Sequence, residues 1–169
     1  VIILGHSGSG KNFLLEGLIE KGYKYLPKIT TRPIRENEKD GVDYHFLTED
    51  EYNILYKNDL VKIHQNFRIN KQNWHYAITK ESFENSNVFI MTPEELTFLS
   101  KEERKKCFVV FIDIPEKIRR KRLSKRKDNN DSIDRRILAD RVDFKYFKDY
   151  DMRINDPEFE VKLVYDFAF

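Results

Sequence analysis

The stretch Val1–Asn12, VIILGHSGSGKN, decides how the rest of the chain is read. Val1, Ile2, Ile3 and Leu4 form a β-branched and aliphatic run suited to a buried parallel strand, and Asn12 to Lys21 suit a helix after it. Between them, Gly5, Gly8 and Gly10 permit backbone angles and close approaches that a side chain would block, so successive N–H groups turn inward on an anion. The positive end of the following helix adds to the same site. Lys11 stands where the pattern G-x-x-x-x-G-K-[ST] places the lysine that reaches the outer phosphates of a nucleotide. Asn12 replaces the hydroxyl residue that would ligate magnesium, and its amide oxygen is a weaker substitute. Gly5, Ser7, Gly8, Ser9, Gly10, Lys11 and Asn12 are therefore the expected phosphate cradle.

The composition sets modest bounds. A length of 169 residues fits one domain with a substantial core. A formal charge of +2 with 36% charged residues implies no global polyelectrolyte role. One cysteine, Cys107, excludes an intramolecular disulfide framework and fits a reducing compartment. No apolar run approaches the ~18 residues of a membrane span, and no secretory signal is visible, so a cytoplasmic location is expected.

After the first helix, which Gly22 is placed to stop, Lys28–Phe46 reads KITTRPIRENEKDGVDYHF. Arg32 and Arg35, three residues apart and followed by Tyr44, are suited to gathering the oxygens of a second phosphorylated group. A solvated charged loop is the alternative, and the phosphate-binding loop tips the balance against it.

These two stretches resemble the guanylate kinase family of P-loop nucleoside monophosphate kinases. GHSGSGK is similar to that family's opening loop, and TTRPIRENEKDGVDYHF to its acceptor-binding segment. The resemblance implies an α/β P-loop NTPase fold, with a parallel sheet flanked by helices. It implies transfer of a phosphoryl group from ATP, with Mg2+, to a nucleoside monophosphate or other phosphorylated small molecule. On it, Arg32, Arg35 and Tyr44 contact the acceptor phosphate and Glu38 takes the family's glutamate position. Tyr76 resembles a further phosphate contact, although Ala77 replaces a glycine there.

The family's two guanine-reading positions fall on Lys28 and Lys62. An ammonium only donates, so it cannot replace a carboxylate that accepts guanine's N–H groups; the phosphate cradle is kept while the base readout differs. After the strand NVFIMT, Asn87–Thr92, the family's aspartates are missing, and Thr92 is left to offer a hydroxyl at the acceptor. The usual magnesium contacts are then incomplete, leaving a metal held mainly by phosphates and water.

Leu14, Leu15, Leu18, Phe13 and Ile19 predict the buried stripe of the first helix. Thr48 and Glu51 form a capping signal before a helix carrying Tyr52, Leu55 and Tyr56. Leu60–Phe67 and Trp74–Thr79 read as strands around the turn RINKQN, with His64 and His75 as strand side chains. Cys107–Ile114, CFVVFIDI, predicts a central parallel strand. From Lys117 to Lys127, eight of eleven residues are basic. That density admits nucleic acid, but aromatic platforms are lacking and Asp128, Asp131 and Asp134 interrupt the patch.

The run instead resembles the family's helix leading into a mobile lid. Arg122, Arg126 and, beyond the turn DNNDS, Arg136 are the expected lid cations, with Arg119, Arg120 and Lys121 solvated. Ser132 or Asp131 caps the next helix, whose apolar face is read as Ile133, Ile137, Leu138 and Val142. Phe144, Tyr146, Phe147 and Tyr150 are expected in the core. Asn155 resembles an asparagine near the donor adenine, and Asp156 with Pro157 predicts the start of a final helix.

One domain over 1–169 is expected, with a core of 1–27 and 80–169, an acceptor-binding lobe of about 28–79 and a lid of about 122–137. A guanylate kinase-like module that binds phosphate or a partner with little turnover is the alternative to the enzyme.

Overall fold

The computed structural model describes residues 1–69, 71–125 and 131–168. In chain order, β1 (Ile2–Gly5) leads to α1 (Lys11–Glu20), then to β2 (Ile29–Thr30), β3 (His45–Phe46) and α2 (Glu49–Lys57). The hairpin β4 (Val61–Ile69) and β5 (Gln72–Thr79) follows, with α3 (Lys80–Asn85) directly after it. β6 (Phe89–Ile90), α4 (Pro93–Leu96), α5 (Lys101–Lys105) and β7 (Val109–Ile112) come next. The chain closes with α6 (Glu116–Lys125), α7 (Ile133–Asp143), β8 (Met152–Ile154) and α8 (Val161–Phe167). Two compact units result, one of Val1–Tyr23 with Val88–Phe169, the other of Lys24–Asn87.

The first unit is built on a parallel sheet in the order β6-β1-β7-β8, with helices packed on it. Every residue of β1 and of β7 is buried, as a parallel sheet covered on both faces requires. Ile2, Ile3, Leu4, Val109, Val110 and Ile112 supply the middle of this core. Leu14, Leu15 and Leu18 of α1 face inward. Phe13 and Ile19 do not, being 55% and 42% exposed, because at 100° per residue Ile19 lies just past the edge of the arc the three leucines define and Phe13 nearly opposite it. Gly17 accepts Val161 of α8 against α1; a Cβ there would lie 2.4 Å from a Val161 methyl.

Gly5, opposite Ile112 in the β1–β7 register, is where the sheet hands the chain to the loop. A Cβ on it would sit 2.6 Å from Ser9 Oγ and 2.7 Å from the Ile112 carbonyl oxygen, a backbone atom of a core strand that has nowhere to move. Gly5→Ala is therefore expected to lower unfolding free energy by about 2 kcal/mol or more. Urea unfolding checks it; a loss within error would mean that the strand end relaxes freely.

The second unit carries a mixed sheet in the order β3-β2-β5-β4. Ile29, Tyr52 and Ala77 are buried at its centre, with Leu47, Leu55 and Val61 packed around them. Thr48 caps α2 through a reciprocal capping box with Glu51. The hairpin runs further than the polar turn suggests. Arg68 pairs with Asn73 and Ile69 with Gln72, and Lys71 sits at φ 66°. Polar residues on a solvated hairpin end continue the ladder as well as apolar ones, because backbone hydrogen bonds do not depend on side-chain polarity.

Four other expectations are corrected. Tyr56 is 51% exposed, leaving Tyr52 and Leu55 to face the core of the second unit. On α7, Leu138 and Val142 point outward, at 61% and 69% exposure, while Ile137 and Asp140 are buried. A carboxylate occupies a position that apolar periodicity assigns to hydrocarbon, so the stripe reads one face too far round. Tyr146 is 79% exposed, whereas Phe144, Phe147 and Tyr150 gather around Phe111 at centroid distances of 5.3, 5.4 and 5.6 Å. The last helix starts at Val161 with Glu160 as its cap residue. Asp156 instead folds over the Glu158 N–H at 2.9 Å, making a side-chain turn that delays the helix.

Candidate nucleotide-binding site

In the first unit the loop between β1 and α1 turns through Gly8 at φ 76° and Gly10 at φ 109°. Both angles belong to the left-handed region that glycine alone enters without strain. Gly10 is the cap residue of α1 and makes no side-chain cap bond, so the helix end presents its first N–H groups forward. Lys11 Nζ donates to the carbonyls of Gly5 (2.7 Å) and His6 (2.9 Å), drawing the ammonium back across the loop it serves. Ser9 is fully buried, its N–H on the His6 carbonyl at 3.1 Å and its hydroxyl without a partner. Asn12 is exposed at the start of α1.

These features fit a polyphosphate: inward amides, an ammonium and two positions where a Cβ would demand a strained backbone. A hollow of about 710 Å3, lined by Gly8, Gly10, Phe13, Arg122, Phe159 and Lys162 among others, opens beside the loop. Phe13 and Phe159 meet edge to face in it at 5.6 Å. For a metal the residues are less apt. Among the described residues no group of three or more His, Cys, Asp or Glu is arranged to hold an ion.

Arg122 works as a strut. Its Nη1 donates to the Ser9 carbonyl at 3.1 Å and its Nη2 to the Pro157 carbonyl at 2.8 Å, tying the loop to the turn before α8. Arg136 Nε donates to Asp131 Oδ2 at 3.1 Å, on a carboxylate that Arg135 also holds. Arg126 and most of the turn DNNDS lie outside the described residues. Asn155 follows β8 directly and is exposed. Thr92 caps α4, its hydroxyl accepting from the Glu95 N–H at 3.1 Å while Glu95 returns a bond to the Thr92 N–H at 2.8 Å.

The basic run is less solvated than its composition suggests. Arg119 is buried, its Nε on the Ile114 carbonyl at 2.9 Å and its Nη1 3.2 Å from Asp140, which corrects its assignment to solvent. Arg120 is bound by Glu116 (2.9 Å) and Asp134 (2.6 Å). Only the Arg120–Glu116 contact is one turn apart on α6; Arg119 finds its partners at Ile114 before the helix and at Asp140 on α7, which the run alone does not show.

His6 is a residue the sequence reading passed over, since the glycine pattern leaves its identity open. Its ring lies 4.5 Å from Phe144 and 5.5 Å from Phe111, with Nδ1 3.6 Å from Asp113 Oδ1. Burial lowers its pKa, and Arg119 adds to this against the opposing pull of Asp140 and Asp113. The folded chain thus keeps His6 neutral where the unfolded chain, titrating near 6.5, takes up a proton. Its contribution to stability is present above 6.5 and is lost as pH falls below that value towards the folded pKa. His6→Phe is expected to flatten the fall of Tm with pH just below 6.5 relative to wild type. An unchanged slope would assign that fall to other groups.

The second unit holds a tight cationic cluster. Arg32 is buried, and its guanidinium makes a bidentate pair with Glu38, with both contacts at 2.8 Å. Nη1 also reaches the Pro33 carbonyl at 2.8 Å, and Nε the Tyr76 hydroxyl at 3.1 Å. The Tyr44 and Phe46 rings lie 5.3 and 5.5 Å from the guanidinium carbon. Glu38 receives in addition the Arg35 N–H at 2.9 Å, with Arg35 Nη1 at 3.8 Å. Burial would raise the Glu38 pKa, but the Arg32 hydrogen bonds and the Arg35 N–H outweigh it and hold the carboxyl below its usual range. Burial raises the Tyr76 phenol, against the pull of Arg32.

Arg32, Arg35, Glu38, Tyr44 and Tyr76 are therefore brought together, although Tyr76 lies on β5, far along the chain from the arginines. Much of Arg32's donor capacity is spent on Glu38, Pro33 and Tyr76. That makes Arg32 the anchor of the cluster and leaves Arg35, with its side chain 27% exposed, as its outward cation. Lys28 and Lys62 are half-buried on the same sheet, and the Lys62 ammonium stands 5.2 Å from the Phe83 centroid.

Comparison with known proteins identifies the family. A curated guanylate kinase of Vibrio parahaemolyticus is 25% identical over 174 residues, covering 96% of this chain and 82% of its own length. One of Alkalilimnicola ehrlichii is 25% identical over 167 residues, with the same two coverages. The crystal structure of guanylate kinase from Anaplasma phagocytophilum superposes with a TM-score of 0.64 at 19% identity, over 98% of this chain and 80% of that one, a likeness of fold. The family model described as guanylate kinase matches residues 1–164, so nearly the whole chain is accounted for and the protein belongs to the guanylate kinase family.

Proposed function

We propose that this protein transfers the terminal phosphoryl group of ATP to a nucleoside monophosphate. The observation that carries the reading is that the chain has two clusters suited to phosphate, one on each unit. A nucleotide-binding module needs only the first; the second is what an acceptor monophosphate requires. In this reading Lys11 and the amides of Gly8 to Asn12 hold the donor phosphates, with Gly5, Ser7 and Ser9 shaping the loop. The hollow beside the loop takes the donor base, and Asn155 is its contact by the family resemblance.

Arg35, Tyr44 and Tyr76 hold the acceptor phosphate, with Arg32 and Glu38 fixing their positions. Lys28 and Lys62 read the rest of the acceptor, and two ammonium donors favour a base face rich in carbonyl oxygens over the N–H face of guanine; Thr92, by the family resemblance, offers the acceptor a hydroxyl. Arg122, Arg126 and Arg136 belong to a lid of about 122–137 that offsets charge on the transferred group and excludes water. The acceptor lobe is about 28–79, within a single domain of core 1–27 and 80–169, acting in the cytoplasm where ATP is supplied. Mg2+, where bound, neutralises charge on the donor phosphates, held mainly by those phosphates and water. An ionised acceptor phosphate needs no general base, so the protein's task is alignment and charge.

A module that binds phosphate with little turnover is favoured by Asn12 in place of a hydroxyl residue, by the missing aspartates after Asn87–Thr92 and by Lys62. A coupled ATP-to-ADP assay with Mg2+ against ribo- and deoxyribonucleoside monophosphates separates the two. Acceptor-dependent turnover that is lost in Arg35→Ala supports the kinase and names its base. Nucleotide binding by calorimetry with no turnover on any acceptor would sink it in favour of the module.

A further inference from the structure

A buried ion pair that the proposed reaction does not use lies against the phosphate loop. Arg119, on α6, and Asp140, on α7, are 4% and 8% exposed, and Arg119 Nη1 meets Asp140 Oδ2 at 3.2 Å. Asp140 Oδ2 also accepts the Ser7 N–H at 2.8 Å, and Oδ1 accepts the Ser7 hydroxyl at 3.2 Å. Arg119 Nη1 closes the ring on the Ser7 carbonyl at 3.4 Å, and its Nε is fixed on the Ile114 carbonyl at the end of the core strand. The contact is close on the backbone side as well. A Cβ on Gly8 would lie 2.9 Å from the Arg119 carbonyl oxygen and 3.1 Å from Leu123 Cγ.

Such a pair is a poor device for stability alone, because desolvating two charges offsets most of their attraction. What it does supply is direction. Each Ser7 group that faces it, N–H, hydroxyl and carbonyl, is pinned by a charged partner that is itself immobilised. Ser7 immediately precedes the amides of Gly8 to Lys11. A lone carboxylate beside an anion site would oppose binding; Arg119 supplies the compensating charge at the same point.

We propose that Asp140, oriented by Arg119, is a positioning residue that pre-sets the phosphate loop through Ser7, so that the following amides already face a triphosphate. The pair comes from the helices on either side of positions 126–130, so the loop is held from both ends of that segment. The inference rests on the reading of the loop as a triphosphate site, and its test has a readout that does not.

The decisive variant is the double replacement Arg119→Leu with Asp140→Ala, which removes both charges and leaves no unpaired buried ion. Hydrogen exchange at the Ser7–Lys11 amides is measured without nucleotide, ATP affinity by calorimetry, and KM for ATP and for the acceptor by the coupled assay. Expected are exchange faster by about tenfold or more and ATP affinity weaker by about tenfold or more, with Tm and acceptor KM near wild type. Ser7→Ala, which removes only the hydroxyl bond, is expected to move exchange and ATP affinity in the same direction by less, and it decides the matter if the double variant does not fold.

Unchanged exchange and affinity in a folded variant would overturn the proposal. So would tighter ATP binding, which would make Asp140 a competitor of phosphate. If the wild-type protein does not bind ATP, the kinase reading fails, and the exchange rates alone decide whether the pair sets the loop.

Discussion

Arg32→Ala is expected to destabilise the Lys24–Asn87 unit by about 3–5 kcal/mol, the range for removing one partner of a buried ion pair. Glu38 is bound by two guanidinium N–H groups, and its own side chain is only 15% exposed. Without Arg32 that carboxylate keeps the Arg35 N–H but loses its bidentate partner, while Tyr76 and the Pro33 carbonyl each lose a donor. Denaturant unfolding followed by the fluorescence of Trp74, on β5 of the same unit, reads the loss. A change under about 1 kcal/mol would mean that the pair is solvated in practice, as surface pairs are.

The pH dependence gives an independent check. Because the folded Glu38 pKa is lowered, its stabilisation is present above the ordinary value of 4.5 and is lost as pH falls below 4.5 through the folded value. The Arg32→Ala variant should lose stability less steeply than wild type over that acid range. Acceptor-dependent turnover should vanish in it whichever base the acceptor carries, since the whole cluster depends on this side chain.

Lys11→Ala is expected to lower ATP-dependent turnover by about 10²–10³-fold, the range for removing one preorganised donor from a developing charge. The side chain's two bonds to loop carbonyls make it a short lever. An ammonium so placed exchanges a carbonyl for a phosphate oxygen with little movement. Folding should change by much less than turnover does, because helix α1 keeps its buried leucine face. Single-turnover measurement with ATP in excess isolates the step. Retention of turnover within threefold would remove Lys11 from the reaction and leave the loop as a binding element only.

Much of this protein was legible in its sequence because the relevant rules are local. The β1 run, the glycines and Lys11 specify strand, loop and helix within a dozen residues, since each imposes its own backbone preference. Thr48 with Glu51 and Ser132 with the Arg135 N–H are caps that nearest-neighbour chemistry dictates. The pairing of β1 with β6 and β7 follows from continuous apolar runs that only a buried parallel sheet satisfies. Arg32, Arg35 and Tyr44 lie close enough in the chain for spacing to suggest a shared anion, and the family resemblance adds Glu38 to them.

The tertiary structure alone decided what long-range packing controls. Whether a charged side chain is solvated depends on what faces it, and the partner of Arg119 is 21 positions away, that of Ser7 133. Nothing in the basic run distinguishes Arg119, which is buried on Asp140, from Arg120, which lies among surface carboxylates. His6, whose identity the glycine pattern leaves open, lies against Phe111 and Phe144. The sequence by itself determined the fold family and the chemistry available at its loops, because those depend on backbone preference and residue type. Which charges are buried, and therefore which of them fix the phosphate loop, depended on desolvation against distant partners, which only the folded chain brings together.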